Sequence, residues 1–233
     1  MRRIAAIVGV VSLFAAGPTA KAEDESGYAK NGVYVGGMLS YVTVGEDFNG
    51  RDMLVDPNQA LLLPDIHGAG GWGAIVGLRH GRFSAEVNYV TTRHDWTMHG
   101  DVSPMPSSGD GHLQSLNLDF KVHFGVDNPV QPYVLFGPSA SYLRLNGASV
   151  DGSGNVGHSE FYGLGGKIGA GVAVYIGPRV CLSGGVYYNQ IFYSDYEGIG
   201  GSGTLEGGDE DDFDDDRIIG GGFGFVLSLT FTF

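Results

Sequence analysis

Residues 115–124 read "SLNLDFKVHF". Leu116, Leu118, Phe120, Val122 and Phe124 fall on one parity, and Ser115, Asn117, Asp119, Lys121 and His123 on the other. A period of two is the mark of a β-strand whose two faces meet different surroundings. The last twelve residues repeat it: Phe223, Phe225, Leu227, Leu229, Phe231 and Phe233 alternate with Gly222, Gly224, Val226, Ser228, Thr230 and Thr232. So does 161–175, where Leu164, Ile168, Ala170, Val172 and Val174 oppose Gly163, Gly165, Lys167, Gly169 and Gly171. A chain patterned this way builds sheet. The open question is what each face touches.

The spacing of the alternating segments narrows the answer. Strands are expected at about 32–44, 70–79, 82–92, 113–124, 132–145, 161–175, 180–190 and 218–233. Each has roughly the ten residues that a tilted membrane-crossing strand requires. The connections alternate long (45–69, 93–112, 146–160, 191–217) and short (around His80-Gly81, "GVDNPVQ", "IGPR"). That rhythm describes an up-and-down meander of eight strands with both ends on one side.

An eight-stranded barrel has an interior only wide enough to be filled by side chains. Gly, Ser and Thr with a few charges suit it, whereas Leu and Phe from eight strands would overfill it. The apolar face therefore points outward, into lipid, and a closed barrel satisfies every backbone group there. Phe83, Phe124, Phe231 and Phe233 fall at the short-turn end of this outer face, and Tyr41, Tyr89, Tyr142 and Tyr188 toward the long-loop end. These are the two aromatic belts of a membrane barrel. The start fits export: "MRRIAAIVGVVSLFAAGPTAKA" has Arg2 and Arg3, an apolar run and Ala20-Lys21-Ala22, the layout of a signal peptide cut after Ala22. Residues 1–22 are thus expected to be a leader and 23–233 the barrel domain. The single Cys181 offers no internal disulfide. The expected fold class is all-β, an eight-stranded antiparallel up-and-down transmembrane β-barrel.

The segments "NGVYVGGMLSYV", "PYVLFGPSASY", "GGKIGAGV" and the final "FTF" resemble the OmpA/OmpX/opacity-type outer-membrane β-barrel superfamily, over about residues 26–233. The resemblance implies a Gram-negative outer-membrane location. It also implies that the terminal Phe231 and Phe233 form an assembly signal read by the barrel-assembly machinery. No peptidoglycan-binding domain of the longer OmpA type is expected.

Charge is unevenly spread. The formal net charge is −13, or −16 without the leader's Arg2, Arg3 and Lys21, which disfavours nucleic acid as a partner. Of the 26 carboxylates, 20 lie in the four long connections against Arg51, Arg93 and Arg217, a balance of −17. The densest run, "EGGDEDDFDDD" (206–216), makes Asp209, Asp211, Asp212, Asp214 and Asp216 candidate calcium or magnesium ligands, since such cations take carboxylate oxygens. EF-hand spacing is missing. The run reads either as a solvated, self-repelling loop tip or as a loose divalent bridge to lipopolysaccharide.

Within the lumen, Glu86 and Lys121 sit at similar height on adjacent strands and are expected to pair, with Asp119 and Lys167 in the same network. Catalytic patterns are weak. "HSE" (158–160) has the right residue types for a lipid A-modifying barrel, but neighbours in a strand point to opposite sides. His94-Asp95 and His99 have the residue types to bind metal or act as a base, but read first as solvated loop residues. "GLGGKIGAG" lacks Walker spacing. No catalytic residue and no cofactor is expected. The sequence describes a surface protein acting through acidic extracellular loops, by binding, adhesion or membrane stabilisation. A lipid A-modifying enzyme is the alternative, and a narrow channel the third reading. Expected partners are outer-membrane lipid and lipopolysaccharide, the assembly machinery, and divalent cations or host surface molecules.

Overall fold

The computed structural model describes residues 28–48, 52–56, 59–62, 64–97, 108–150, 156–198, 201–204 and 218–233. Among them run eight long strands: β1 (Gly32–Val42), β2 (Ala69–His80), β3 (Phe83–Thr97), β4 (Ser108–His123), β5 (Val130–Val150), β6 (Val156–Tyr175), β7 (Val180–Gly198) and β8 (Ile218–Thr232). Each pairs antiparallel with its neighbours in the chain, and β8 pairs with β1 on one edge and β7 on the other, which closes the ring. A closed ring leaves none of the eight with an unpaired edge, the condition a sheet must meet in hydrocarbon. Pro138 interrupts the β4–β5 register between Asn117–Ser139 and Phe120–Phe136, because its ring nitrogen has no proton to give the ladder.

The short turns are tight, and two depend on glycine for its backbone alone. Gly81 and Gly177 have φ of 56° and 84°, with nothing near where a Cβ would stand. Left-handed backbone is what excludes other residues there.

The wall is oriented as the alternation requires. Leu164, Ile168, Leu39 and Phe223 are 71%, 65%, 63% and 63% exposed, whereas Asn88, Asn117, Asp119 and Ser139 are buried within the ring. Phe83, Phe124, Phe231 and Phe233 are exposed at the short-turn end, and Tyr41 and Tyr89 toward the other. Tyr142 packs against Tyr162 and Tyr188 against Phe223, as tilted ring pairs with centroids 5.0 and 5.3 Å apart.

The strands outrun the expected ten residues. β3 continues to Thr97, β4 starts at Ser108, β5 reaches Val150, β6 begins at Val156 and β7 runs to Gly198. The connection after β1 also holds short pieces, Gly45–Glu46 on β8, Asp65–Ile66 on β3, and the hairpin Asp52–Asp56 with Gln59–Leu62. β5 has 21 residues; at a tilt near 40° it spans about 50 Å along the axis, roughly twice the apolar band of such barrels. The extra length stands in water, where the outer face no longer needs to be apolar. The pattern that betrays a membrane strand stops at the interface, and so did the expected boundaries.

Such a closed sheet resists detergent until heated. The unboiled protein is expected to migrate differently from the boiled protein on a denaturing gel; identical mobility would contradict the closed ring.

Candidate functional site

The four luminal charges come together on three strands. Register places Glu86 of β3 directly opposite Asp119 of β4, so two carboxylates face each other across one rung. Each is met by a lysine. Lys121 Nζ lies 2.6 Å from Glu86 Oε1, a diagonal pair, and Lys167 Nζ reaches across from β6 to within 2.6 Å of Asp119 Oδ2. All four are buried. Tyr34 donates its hydroxyl to Glu86 Oε1 at 2.7 Å, and Asn88 donates Nδ2 to Asp119 Oδ2 at 2.8 Å. Lys121 and Lys167 each sit 4.8 Å from a ring centroid, of Tyr133 and Tyr187 respectively. These rings fit because the wall they lie against has no side chain: a Cβ at Gly171 would strike Tyr133, and one at Gly224 would strike Tyr187. The network is electrically neutral, and the spaces left around it measure about 20 and 30 Å³. The lower volume is that of about one water molecule.

Below this network the short-turn end is plugged by Arg79. The arginine points inward, where its guanidinium donates to Tyr175 Oη, to Gln131 Oε1 at 2.6 Å and to the Gly81 carbonyl at 3.1 Å. Gln131 in turn donates to the carbonyls of Val126 and Asn128, both at 2.9 Å. Position 79 shares parity with Ile75 and Gly77, so the luminal placement was readable from the alternation. Beside it Ser84 Oγ contacts His123 Nε2 at 3.1 Å.

Above the network the interior changes character. Val44, Phe48, Ile66, Trp96, Leu113, Leu143, Leu145, Phe161, Ile191, Tyr193 and Ile218 form a buried apolar cluster across the mouth. An interior of small and polar residues throughout was the sequence expectation; it holds at the level of Ser115, Ser139 and Ser141 and fails one rung higher. The physical reason is the outer solvent. Beyond the bilayer the wall faces water, so the barrel there needs an apolar core like any water-exposed barrel. Phe48 closes the mouth from above, edge-on to Phe161 and Tyr193 with centroids 5.7 and 5.6 Å away. It is held by a latch: Gly45 and Glu46 pair with Gly221 and Gly220, Asp47 Oδ2 accepts from the Ile219 amide at 2.6 Å, and Tyr188 donates to Glu46. Glu46 takes a φ of 65°, unusual for a residue with a Cβ.

Other expected positions resolve as follows. His94 is not a solvated loop residue: it is fully buried in β3, with Nε2 2.6 Å from Thr92 Oγ1 and Nδ1 2.7 Å from the His67 carbonyl. Strand β3 simply continues through it. Asp95 is exposed beside it on the outer face. His158 and Glu160 share the outer face, 3.4 Å apart, and Ser159 lies on the other parity, so the three do not converge. Phe231 and Phe233 sit on the outer wall, Phe231 opposite Val35 and Val180. Asp209, Asp211, Asp212, Asp214 and Asp216, and also His99, lie outside the described residues; among those described, no group of three or more His, Cys, Asp or Glu side chains is placed to hold a metal ion.

Removing one member of a buried ion pair leaves an uncompensated charge. Lys167→Met is expected to destabilise the barrel by about 3–5 kcal/mol, and Lys167→Met with Asp119→Asn to recover most of that. Urea unfolding in lipid vesicles measures both.

No curated protein matches the chain. Among solved structures, OprG from Pseudomonas aeruginosa superimposes with a TM-score of 0.52 at 10% identity, over 90% of this chain and 99% of that one. The Neisserial surface protein NspA gives 0.48 at 19% identity, covering 87% and 98%. Ail, the attachment invasion locus protein of Yersinia pestis, gives 0.46 at 13%, covering 88% and 100%. At these identities the likeness to OprG speaks for the fold alone. The outer membrane protein beta-barrel domain family matches residues 6–231. With a closed ring of eight strands and an apolar outer wall, the chain belongs to that family, whose members lie in the outer membrane of Gram-negative bacteria.

Proposed function

We propose that the protein is an outer-membrane surface protein that works by binding at its extracellular end, presenting acidic loops on a closed barrel, after cleavage of residues 1–22. The observation that carries this reading is the filled interior. A neutral charge network, the Arg79 plug and the apolar mouth under Phe48 occupy the axis in succession. A barrel closed at three levels is suited to hold its loops rather than to pass a solute. The long strands support the same reading, since they raise the connections clear of the bilayer. In this proposal the terminal Phe231 and Phe233 address the barrel to the assembly machinery, and the residues outside the membrane do the binding.

The chemistry of the wall disfavours turnover. Ser84 and His123 make the one serine–histidine contact among the hydrogen bonds described, but both are buried at the short-turn end behind Arg79 and Lys121. Their burial keeps them away from the lipid-facing wall. On the outer face His158 and Glu160 have no serine on their side of the strand.

The loop partner follows from charge. The eight carboxylates that the sequence places in 206–216 supply oxygen ligands that would bridge to anionic lipopolysaccharide through calcium or magnesium. Replacing all eight by their amides is expected to abolish calcium-dependent attachment of the refolded protein to lipopolysaccharide vesicles while leaving the heat-dependent gel shift intact. Unchanged attachment would remove the acidic run from the reading. In planar bilayers the unaltered protein is expected to show no conductance steps, and steady steps would favour a channel.

A further inference from the structure

The apolar outer wall is taller on one side of the ring than on the other. On β3 the outward residues are apolar at Phe83, Ala85, Val87 and Tyr89, and Thr91, Arg93 and Asp95 follow. On β2 beside it the run is Leu78, Val76, Ala74 and Trp72, and Gly70 comes next. Across the ring, β6 is apolar outward from Val174 to Tyr162, seven alternate positions of which only Gly166 lacks a side chain, before Glu160. β5 matches it from Val130 to Tyr142, again seven positions, before Arg144. On the far side of β6, β7 is broken at Gln190 and resumes at Phe192, which is 40% exposed.

Two residues along a strand tilted near 40° rise about 5 Å along the barrel axis. The short wall, Phe83 to Tyr89, is then about 15 Å tall, and the tall wall, Val174 to Tyr162, about 30 Å. Both end upward in amphipathic rings, Trp72 and Tyr89 on the one and Tyr142 and Tyr162 on the other, where such rings meet head groups. Lipid about 30 Å thick all round would submerge Trp72 and Tyr89 and reach Thr91 and Arg93. Lipid cut to the short wall would leave Leu164, 71% exposed, in water. Tilting the barrel raises one wall as it lowers the other and leaves the difference in height unchanged.

We propose that the bilayer is thinner against β2 and β3 than against β5 and β6, so that the barrel acts as a wedge and deforms the membrane beside Trp72. Lipid at the short wall draws its head groups toward Trp72 above and Phe83 below. Its chains shorten or disorder at a modest cost for each ångström of mismatch. Arg82 and Arg93, both exposed, stand just beyond the ends of the apolar run of β3, so water or head groups reach both ends of it. The inference rests on the outer-membrane placement alone and needs neither the acidic run nor a divalent cation.

The test is tryptophan quenching in phosphatidylcholine vesicles whose hydrocarbon core is about 30 Å thick, with bromines placed near the head group or near the chain end. Trp72 is the one tryptophan on the outer wall; Trp96, the other, is fully buried and adds a constant signal. Bromine near the head group is expected to quench Trp72 more strongly than bromine near the chain end. In a Trp72→Phe background, Phe83→Trp is expected to show the same preference and Ile168→Trp the reverse. Ile168 stands three outward positions above Val174, as Trp72 stands three above Leu78, so the two probes are matched in height along their own walls. Deep quenching at both 72 and 168 would mean a flat bilayer. Shallow quenching at 72 with deep quenching at 83 would mean a tilted barrel, and no quenching at 72 a face covered by protein. Any of the three would overturn the wedge. The heat-dependent gel shift reports that every variant is folded. The amide variant of the acidic run is expected to keep the same pattern, so failure of the wedge and failure of loop binding are read separately.

Discussion

Everything in this barrel follows from one constraint: each strand passes through two solvents. Over its lower part the outer face meets hydrocarbon, so the outer side chains are apolar and the interior takes whatever is polar. Over its upper part the outer face meets water, and the two faces exchange roles. On β4 the exchange falls between Ser115 and Leu113 inside, and between Leu116 and His112 outside. On β5 it falls between Ser141 and Leu143 inside, and Ala140 and Arg144 outside. On β6 it falls between Gly163 and Phe161 inside, and Leu164 and Glu160 outside. Since neighbouring strands are locked in register, the exchange falls on one rung across β4 to β6. The structure is a membrane barrel below that rung and a water-exposed barrel above it, built from the same staves.

The polar interior of the lower part creates the next requirement. Glu86 and Asp119 face each other across one rung, each within hydrogen-bonding distance of its own lysine, and two carboxylates buried side by side need such cations beside them. Lys121 and Lys167 balance them, and the amides of Asn88 and Asn117 link the pairs to Ser139 through bonds of 2.8, 2.8 and 2.5 Å. Such a network stabilises less than its short distances suggest, because desolvation offsets most of the attraction. Its effect is on specificity. Sliding β3 against β4 by one residue would turn Glu86 or Asp119 toward lipid, and sliding it by two away from Lys121 would leave Glu86 without its lysine, so the network favours the observed register of β3 on β4.

Much of this was legible in the sequence. Parity alone separated Leu116, Leu118 and Phe120 from Asn117, Asp119 and Lys121, and the count of luminal volume decided which set faces in. The ends of the strands were not legible by the same test, because it looks for an apolar outer face and that face ends at the interface. Leu143 and Leu145 continue the luminal parity of Ser139 and Ser141, yet alone they resemble any apolar residue near a loop. His94 was misplaced for the same reason. Phe48 is a different case. Its position depends on a left-handed Glu46 and on pairing with Gly220 and Gly221 more than 170 residues away, contacts that no local pattern announces.

The exchange of faces also frees the rim to carry charge of both signs. Arg93 and Arg144 stand among Asp95, Asp110 and Glu160 on β3 to β6, and Glu46 and Asp47 stand against β8. Antiparallel register permits this because outward positions at one height come from different strands and vary independently in sequence. The interior has no such freedom, since every luminal residue must fit its neighbours. Outward positions above the bilayer are the least constrained by packing, whereas the paired charges and the Phe48 closure fix the scaffold beneath them.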